Sequence, residues 1–261
     1  MQHGPYEHIA ASTSGHVATI EIRRGPNNFV DTDMVAEIAD ALEHYDRTPD
    51  VRAIVLCAEG KHFCAGADFA SRGLDGLARG AKSGRHLYKE AQRLWRTGKP
   101  IVAAVHGAAV GAGIGHAVMA DFRVACAEAR FSANFTRLGF HPGFGLTVTL
   151  PRLIGDQQAA LLMYTSRRIT GEDALKIGLV DYCVAAKDVR GKAVELATEI
   201  AQSAPLAVIS TRETLRRDLA DAVARATERE YEEQDWLRHT ADFKEGTRAM
   251  AERRLPDFHA R

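Results

Sequence analysis

Apolar and polar residues alternate from position 17 to 22 (Val17 to Ile22), as they do in a half-exposed strand. After the turn Gly25-Pro26-Asn27-Asn28, Met34, Ile38, Ala41 and Leu42 recur at helical spacing. Two uninterrupted apolar runs, 53–57 and 101–105, read as buried strands, with a helix over 86–97 before the second. Short strands are expected at 122–125 and 130–132, then a Gly- and Pro-rich connection over 138–146. Beyond residue 156 the pattern turns helical, first over 159–163. Thr170-Gly171-Glu172-Asp173 reads as a capping box with Gly178 as the stop, and 179–184 as a closing strand. Val189, Ala193, Leu196, Ala197 and Ile200 make one apolar stripe, Pro205 restarts a helix, and charged helices run to the end. This pattern predicts an α/β core over 1–200 and a helical region over 201–261 that packs on neighbouring subunits.

Composition narrows the function. Lys+Arg and Asp+Glu each number 34 in 261 residues, so no net field draws the chain to nucleic acid or to a membrane surface. No apolar run approaches the ~20 residues that span a bilayer. No apolar signal segment follows Met1-Gln2-His3-Gly4-Pro5, so a cytoplasmic protein is expected. Cys57, Cys64, Cys126 and Cys183 lack metal spacing and sit in or beside strand-like runs, where buried reduced thiols are expected. The stretch from Ser71-Arg72-Gly73 to Gly84-Arg85 is either a lid or an irregular connection.

Chemistry concentrates after the two buried strands. Phe63-Cys64-Ala65-Gly66-Ala67-Asp68 follows the first, and Val105-His106-Gly107-Ala108-Ala109-Val110-Gly111-Ala112-Gly113 continues the second. Small residues there let bare backbone face a ligand, and two converging N–H groups stabilise negative charge on a carbonyl oxygen.

These motifs, taken in order with Lys99-Pro100, Asp121, Leu150-Pro151-Arg152-Leu153-Ile154-Gly155, Ala174 to Val180 and Phe243-Lys244-Glu245-Gly246, make the chain resemble the crotonase superfamily, the enoyl-CoA hydratase/isomerase family. The resemblance covers nearly the whole chain. It implies a spiral of ββα turns, a C-terminal helical region that assembles trimers or hexamers, and a CoA thioester as substrate with no separate cofactor or metal. Carried over, the oxyanion hole is the backbone N–H of Ala67 and of Ala112. The implied substrate contacts are Asn28, Ala65, Gly66, Asp68, Gly111, Gly115, Phe135 and, near the CoA phosphates, Arg253.

The same resemblance exposes departures. Family hydratases carry one catalytic Glu where this chain has Gly115 and a second where it has Phe135. The turn Phe140-His141-Pro142-Gly143-Phe144-Gly145, where some relatives place an Asp, holds no carboxylate. Two positioned glutamates each contribute about 10²–10⁴-fold, so ordinary water addition is disfavoured. His141 and then His116 are the candidate replacements, with Glu90 and Tyr88 behind them and His106 read as structural. Two classes stay open: an enolate-stabilising acyl-CoA enzyme, and a non-catalytic acyl-CoA binder or structural subunit of a crotonase-type assembly.

Overall fold

A computed structural model of the chain describes residues 2–68, residue 82 and residues 84–261. The candidate lid over 71–85 lies almost entirely outside them. Seven strands form one sheet in the order β1-β2-β3-β4-β5-β7-β10, and β6, β8 and β9 form a second. In the large sheet, β1 (Gln2–His3), β2 (Ile9–Ser14) and β3 (Val17–Ile22) pair antiparallel. From β3 onward the pairing is parallel through β4 (Ala53–Ala58), β5 (Ile101–Val105), β7 (Phe122–Cys126) and β10 (Tyr182–Val184). Every residue of β4 and β5 is buried, as parallel strands covered on both faces must be. Helix α1 (Thr32–Asp46) packs on β2 and β3, and a later helix over 189–201 lies across β3, β4, β5 and β7.

The second sheet explains the small-residue motifs. After β5 the chain turns at Gly107 into β6 (Ala108–Val110), which pairs parallel with β8 (Arg130–Ser132); β8 pairs antiparallel with β9 (Ile169–Thr170). From β5 to β8 each pass of the chain leaves one strand in each sheet, as in the spiral that the resemblance implied. The sequence reading took 108–110 only as bare backbone; it is also a strand, too short and too small in side chain to show a periodicity. Helix α2 (Leu87–Leu94) precedes β5, and α3 (Ala112–Val118) follows β6.

Helix α4 (Leu146–Thr165) begins ten residues before the helical stretch expected at 156. Gly155, at φ 75° and ψ 159°, breaks it, and Pro151 lies inside the first segment, so its pattern is masked in the sequence. Thr170 does cap α5 (Gly171–Lys176) by accepting from the Asp173 N–H at 3.1 Å. The closing strand is shorter than expected, because Leu179 and Val180 bond to the Ala174 carbonyl as the end of α5.

Helix α6 (Val189–Ala201) carries the predicted stripe onto the sheet. Helices α7 (Pro205–Leu215), α8 (Leu219–Leu237) and α9 (Ala241–Ala251) follow. α8 packs on α2 and α4, and α9 on the 3₁₀ turn Thr136–Leu138. No helix among the described residues is long and apolar enough to cross a membrane.

Asp121 ties the tail to the core. It accepts from the Ile101 N–H at 2.8 Å, from Arg212 of α7 at 2.9 Å and from Arg216 at 2.8 Å. A second tie is steric: a Cβ on Gly113 would lie 2.2 Å from the Cys64 carbonyl oxygen, so only glycine lets α3 touch the 63–68 segment. Gly113→Ala should therefore cost about 1–3 kcal/mol by overpacking, although alanine is the better helix former by about 1 kcal/mol. Urea unfolding checks this; a variant as stable as the parent would mean that the two segments separate freely.

Candidate active site

The two motifs meet backbone to backbone. Cys64 N–H donates to the Ala108 carbonyl at 2.9 Å, and Val110 N–H donates back to Cys64 at 3.0 Å. The 63–68 segment is held on its other side by the loop after β3: Ala65 N–H donates to Asn27 at 3.1 Å and Val30 N–H to Gly66 at 2.8 Å. A trans peptide points its C=O and N–H in opposite directions. Because the Gly66 carbonyl is turned toward Val30, the Ala67 N–H is aimed away from it. The same logic applies at Gly111, whose carbonyl accepts from Ile114 N–H at 3.0 Å inside α3. The next N–H, that of Ala112 at the first helical position, is directed out of the helix, where no intrahelical partner exists.

Both peptides line one cavity of about 470 Å³, together with Ala65, Asp68, Val110 and Phe135. Phe135, Leu138, Phe140 and Phe144 give it an apolar wall. Beside the small sheet it is lined by His62, Ala108, Arg130 and Arg168. A further wall comes from α2 and α8: His86, Leu87, Tyr88, Tyr231, Gln234, Asp235 and Arg238.

Phe144 accounts for Gly115. A Cβ on Gly115 would lie 2.2 Å from Phe144 Cδ1, so the ring fills the space into which a side chain at 115 would grow. Phe144 holds this position with φ +64°, a left-handed conformation that costs a bulky residue on the order of 1–3 kcal/mol. Gly115 itself lies beneath that ring and does not line the cavity.

Several expected site residues are placed elsewhere. His141 is turned away: its Nδ1 meets the Pro142 carbonyl at 2.7 Å, and it lines a separate surface groove with Thr147, Pro151 and Tyr164. His116 is fully buried, with Nδ1 on the Ala112 carbonyl at 2.9 Å and its ring 4.8 Å from Phe144, which stands between it and the cavity. Asn28 is a brace rather than a contact. Its Nδ2 donates to Glu59 and His62 carbonyls at 2.8 and 2.7 Å, and its Oδ1 accepts from Arg24 N–H at 2.9 Å. Arg253 lies past the end of α9, exposed and outside the cavity lining. Glu90 is buried against Arg93 at 2.6 Å and does not reach the wall. His106 meets the Gly60 carbonyl at 2.9 Å, as a structural residue does.

Tyr88 does line the cavity. Its hydroxyl donates to Gln234 Oε1 at 2.7 Å, and burial, then the Glu230 carboxylate, push it far above the ordinary tyrosine range, so it stays protonated. The sequence reading missed His86 and the α8 residues. Tyr231, Gln234, Asp235 and Arg238 recur at i, i+3, i+4 and i+7, the one signal that marks a shared helix face.

Burial makes His116 a pH-sensitive element of stability. Desolvation lowers its pKa from 6.5 to about 4, the bond to Ala112 only partly opposing it. Below pH 6.5 the unfolded chain binds a proton here that the folded chain refuses. The stability held at this residue is therefore complete above about pH 6.5 and is lost as pH falls toward 4, up to about 3 kcal/mol. Unfolding free energies of the parent and of His116→Leu should diverge by that amount between pH 7 and 4; a constant difference would mean that His116 titrates normally.

The chain is similar to known proteins over nearly its whole length. The pattern of the enoyl-CoA hydratase/isomerase family matches residues 12–261. A short-chain-enoyl-CoA hydratase of Clostridium acetobutylicum is 32% identical over 248 residues, 94% of this chain and 95% of its own length. An (E)-benzylidenesuccinyl-CoA hydratase of Thauera aromatica is 31% identical over 261 residues, 96% of this chain and 98% of that protein. The crystal structure of an enoyl-CoA hydratase/isomerase from Pseudoalteromonas atlantica superimposes with a TM-score of 0.87 at 28% identity, covering 97% of this chain and all of the other. With a match that runs nearly from end to end in both sequence and fold, the chain belongs to the enoyl-CoA hydratase/isomerase family, the crotonase superfamily.

Proposed function

We propose that this protein is an enzyme that binds an acyl-CoA thioester, holds its carbonyl oxygen between the N–H groups of Ala67 and Ala112, and stabilises the enolate formed when the α-proton leaves. One observation carries the reading: two peptide N–H groups, each pointed away from its neighbour's engaged carbonyl, border the same cavity. Each such donor is worth about 3–4 kcal/mol in the transition state, because it is fixed before the charge develops. The relatives' names supply the substrate class; the donors supply the chemistry.

Two-glutamate hydration does not fit this wall. Phe135 lines the cavity where one family Glu is expected, and Phe144 fills the space over Gly115 where the other is. Among the described residues, the carboxylates on the wall are Asp68 and Asp235. Isomerisation or a lyase reaction through a thioester enolate therefore suits the site better than water addition. Arg130 and Arg168 take over the phosphate-facing role first considered for Arg253, since they line the cavity and it does not.

An oligomer belongs to the same proposal. Helix α7 buries only Arg212 within the protomer, while Leu206 and Leu215 are 80% and 68% exposed, an apolar surface suited to a second copy of the chain. A trimer or a dimer of trimers provides it.

Ala112→Pro isolates the donor. Proline is well tolerated at the first helical position and has no N–H. The variant should keep its unfolding midpoint and bind butyryl-CoA within about threefold, while α-proton exchange in deuterated water falls about 10²–10³-fold. Unchanged exchange would remove Ala112 from the site. In the parent, exchange of butyryl-CoA should outpace hydration of crotonyl-CoA; rapid hydration that disappears with a single Glu substitution would refute the lost-glutamate reading.

A further inference from the structure

The wall built by α2 and α8 carries a hydrogen-bond donor, on His86, that has no partner among the described residues. His86 caps α2, its Nδ1 accepting from the Tyr88 N–H at 3.2 Å, so the neutral ring carries its proton on Nε2. Edge-to-face contacts with Tyr231 at 4.6 Å and Tyr88 at 5.4 Å fix the ring plane. Burial, then the charges of Arg238 and Lys89, lower its pKa, so the ring stays neutral. Arg238, on the same wall, pairs its Nη2 with Asp235, and its Nε is buried out of reach of the cavity.

Tyr88 and Gln234 on the same wall are engaged with each other and with the backbone. The Tyr88 hydroxyl donates to Gln234 Oε1, and Gln234 Nε2 donates to the His141 carbonyl at 2.7 Å. Its place along the cavity is set by Phe144. Tyr88 packs on Gly143, the neighbour of Phe144, and Phe144 packs on Gly115 in the helix that begins at Ala112. His62 and Arg130 belong instead to the small-sheet side, where Ala108 and Arg130 are paired. A thioester oxygen held at Ala67 and Ala112 therefore divides the cavity. The cationic small-sheet side suits the CoA portion, and the α2–α8 wall beyond Phe144 receives the acyl group.

Resting on the acyl-CoA reading above, we propose that the acyl group carries a neutral oxygen, a ketone or hydroxyl, that accepts from His86 Nε2–H. The choice of a neutral acceptor follows from charge. Asp235 already balances Arg238, and a carboxylate on the acyl chain would bring a second anion to a single cation. The aromatic side chains around this wall supply apolar contact for the carbon chain that leads to that oxygen.

Calorimetric titration of the full protein with hexanoyl-CoA, its 3-, 4- and 5-oxo derivatives and adipoyl-CoA tests the proposal. One oxo isomer should bind at least tenfold tighter than hexanoyl-CoA, equivalent to about 1.4 kcal/mol. Adipoyl-CoA should bind more weakly than that isomer. His86→Asn keeps a good capping oxygen for the Tyr88 N–H but is too short to reach the acyl oxygen. In it the ratio of oxo-isomer to hexanoyl-CoA affinity should shrink to about threefold or less.

Oxo isomers that bind no better than about threefold over hexanoyl-CoA, a preference that survives His86→Asn, or tightest binding by adipoyl-CoA would each overturn the acyl-oxygen proposal alone. Failure of every thioester to bind would instead bring down the acyl-CoA reading, and this proposal with it.

Discussion

Close backbone contact between the 63–68 and 108–113 segments is what the site depends on. The pair of hydrogen bonds between Cys64 and residues 108 and 110 places two strand exits side by side. Once they are adjacent, the direction of the Ala67 and Ala112 N–H groups is fixed by peptide planarity rather than by any side chain. The contact is possible because the facing surfaces are almost bare: Gly113 sits on the Cys64 carbonyl and Gly66 on the Val110 carbonyl at distances no Cβ tolerates. The large sheet delivers both segments from neighbouring parallel strands, and Asn28 clamps the outer loop from behind.

Around that fixed pair, the surrounding wall is what varies. The left-handed Phe144 closes the space over Gly115, and Phe135 adds a second ring, so the cavity floor is aromatic where acid–base groups would otherwise stand. Strain stored at one residue and small volume at another form a matched pair: neither Gly115 nor Phe144 can change alone without a void or a clash. Polar groups enter from the small-sheet side, as His62, Arg130 and Arg168, and from α2 and α8, which pack on each other. The helical tail thus forms part of the cavity wall.

The sequence revealed the core strands with little error, because the runs at 53–57 and 101–105 are apolar on both faces. Thr170 and Pro205 showed their helix starts because capping and N-terminal proline are local chemistry. It misjudged α4, where Pro151 and the Gly155 break hide the helical period, and it passed over β6, whose residues are too small to show one. Among the candidate side chains, those within the two motifs do reach the cavity, as Ala65, Asp68 and Gly111 show. Those chosen for their chemistry alone, His141 and His116, do not.

What the sequence determined by itself was the family, through ordered motifs that resemble those of its members, and the core strands and two stretches of bare backbone, which follow from local composition and spacing. What only the tertiary structure decided was which side chains share the cavity. His116 is one helical turn from Ala112 and yet is sealed behind Phe144, while Arg238 is 126 residues further on and lines the wall. The reason is physical: backbone direction is set within a few residues, whereas access to a cavity depends on which distant rings and helices pack over it.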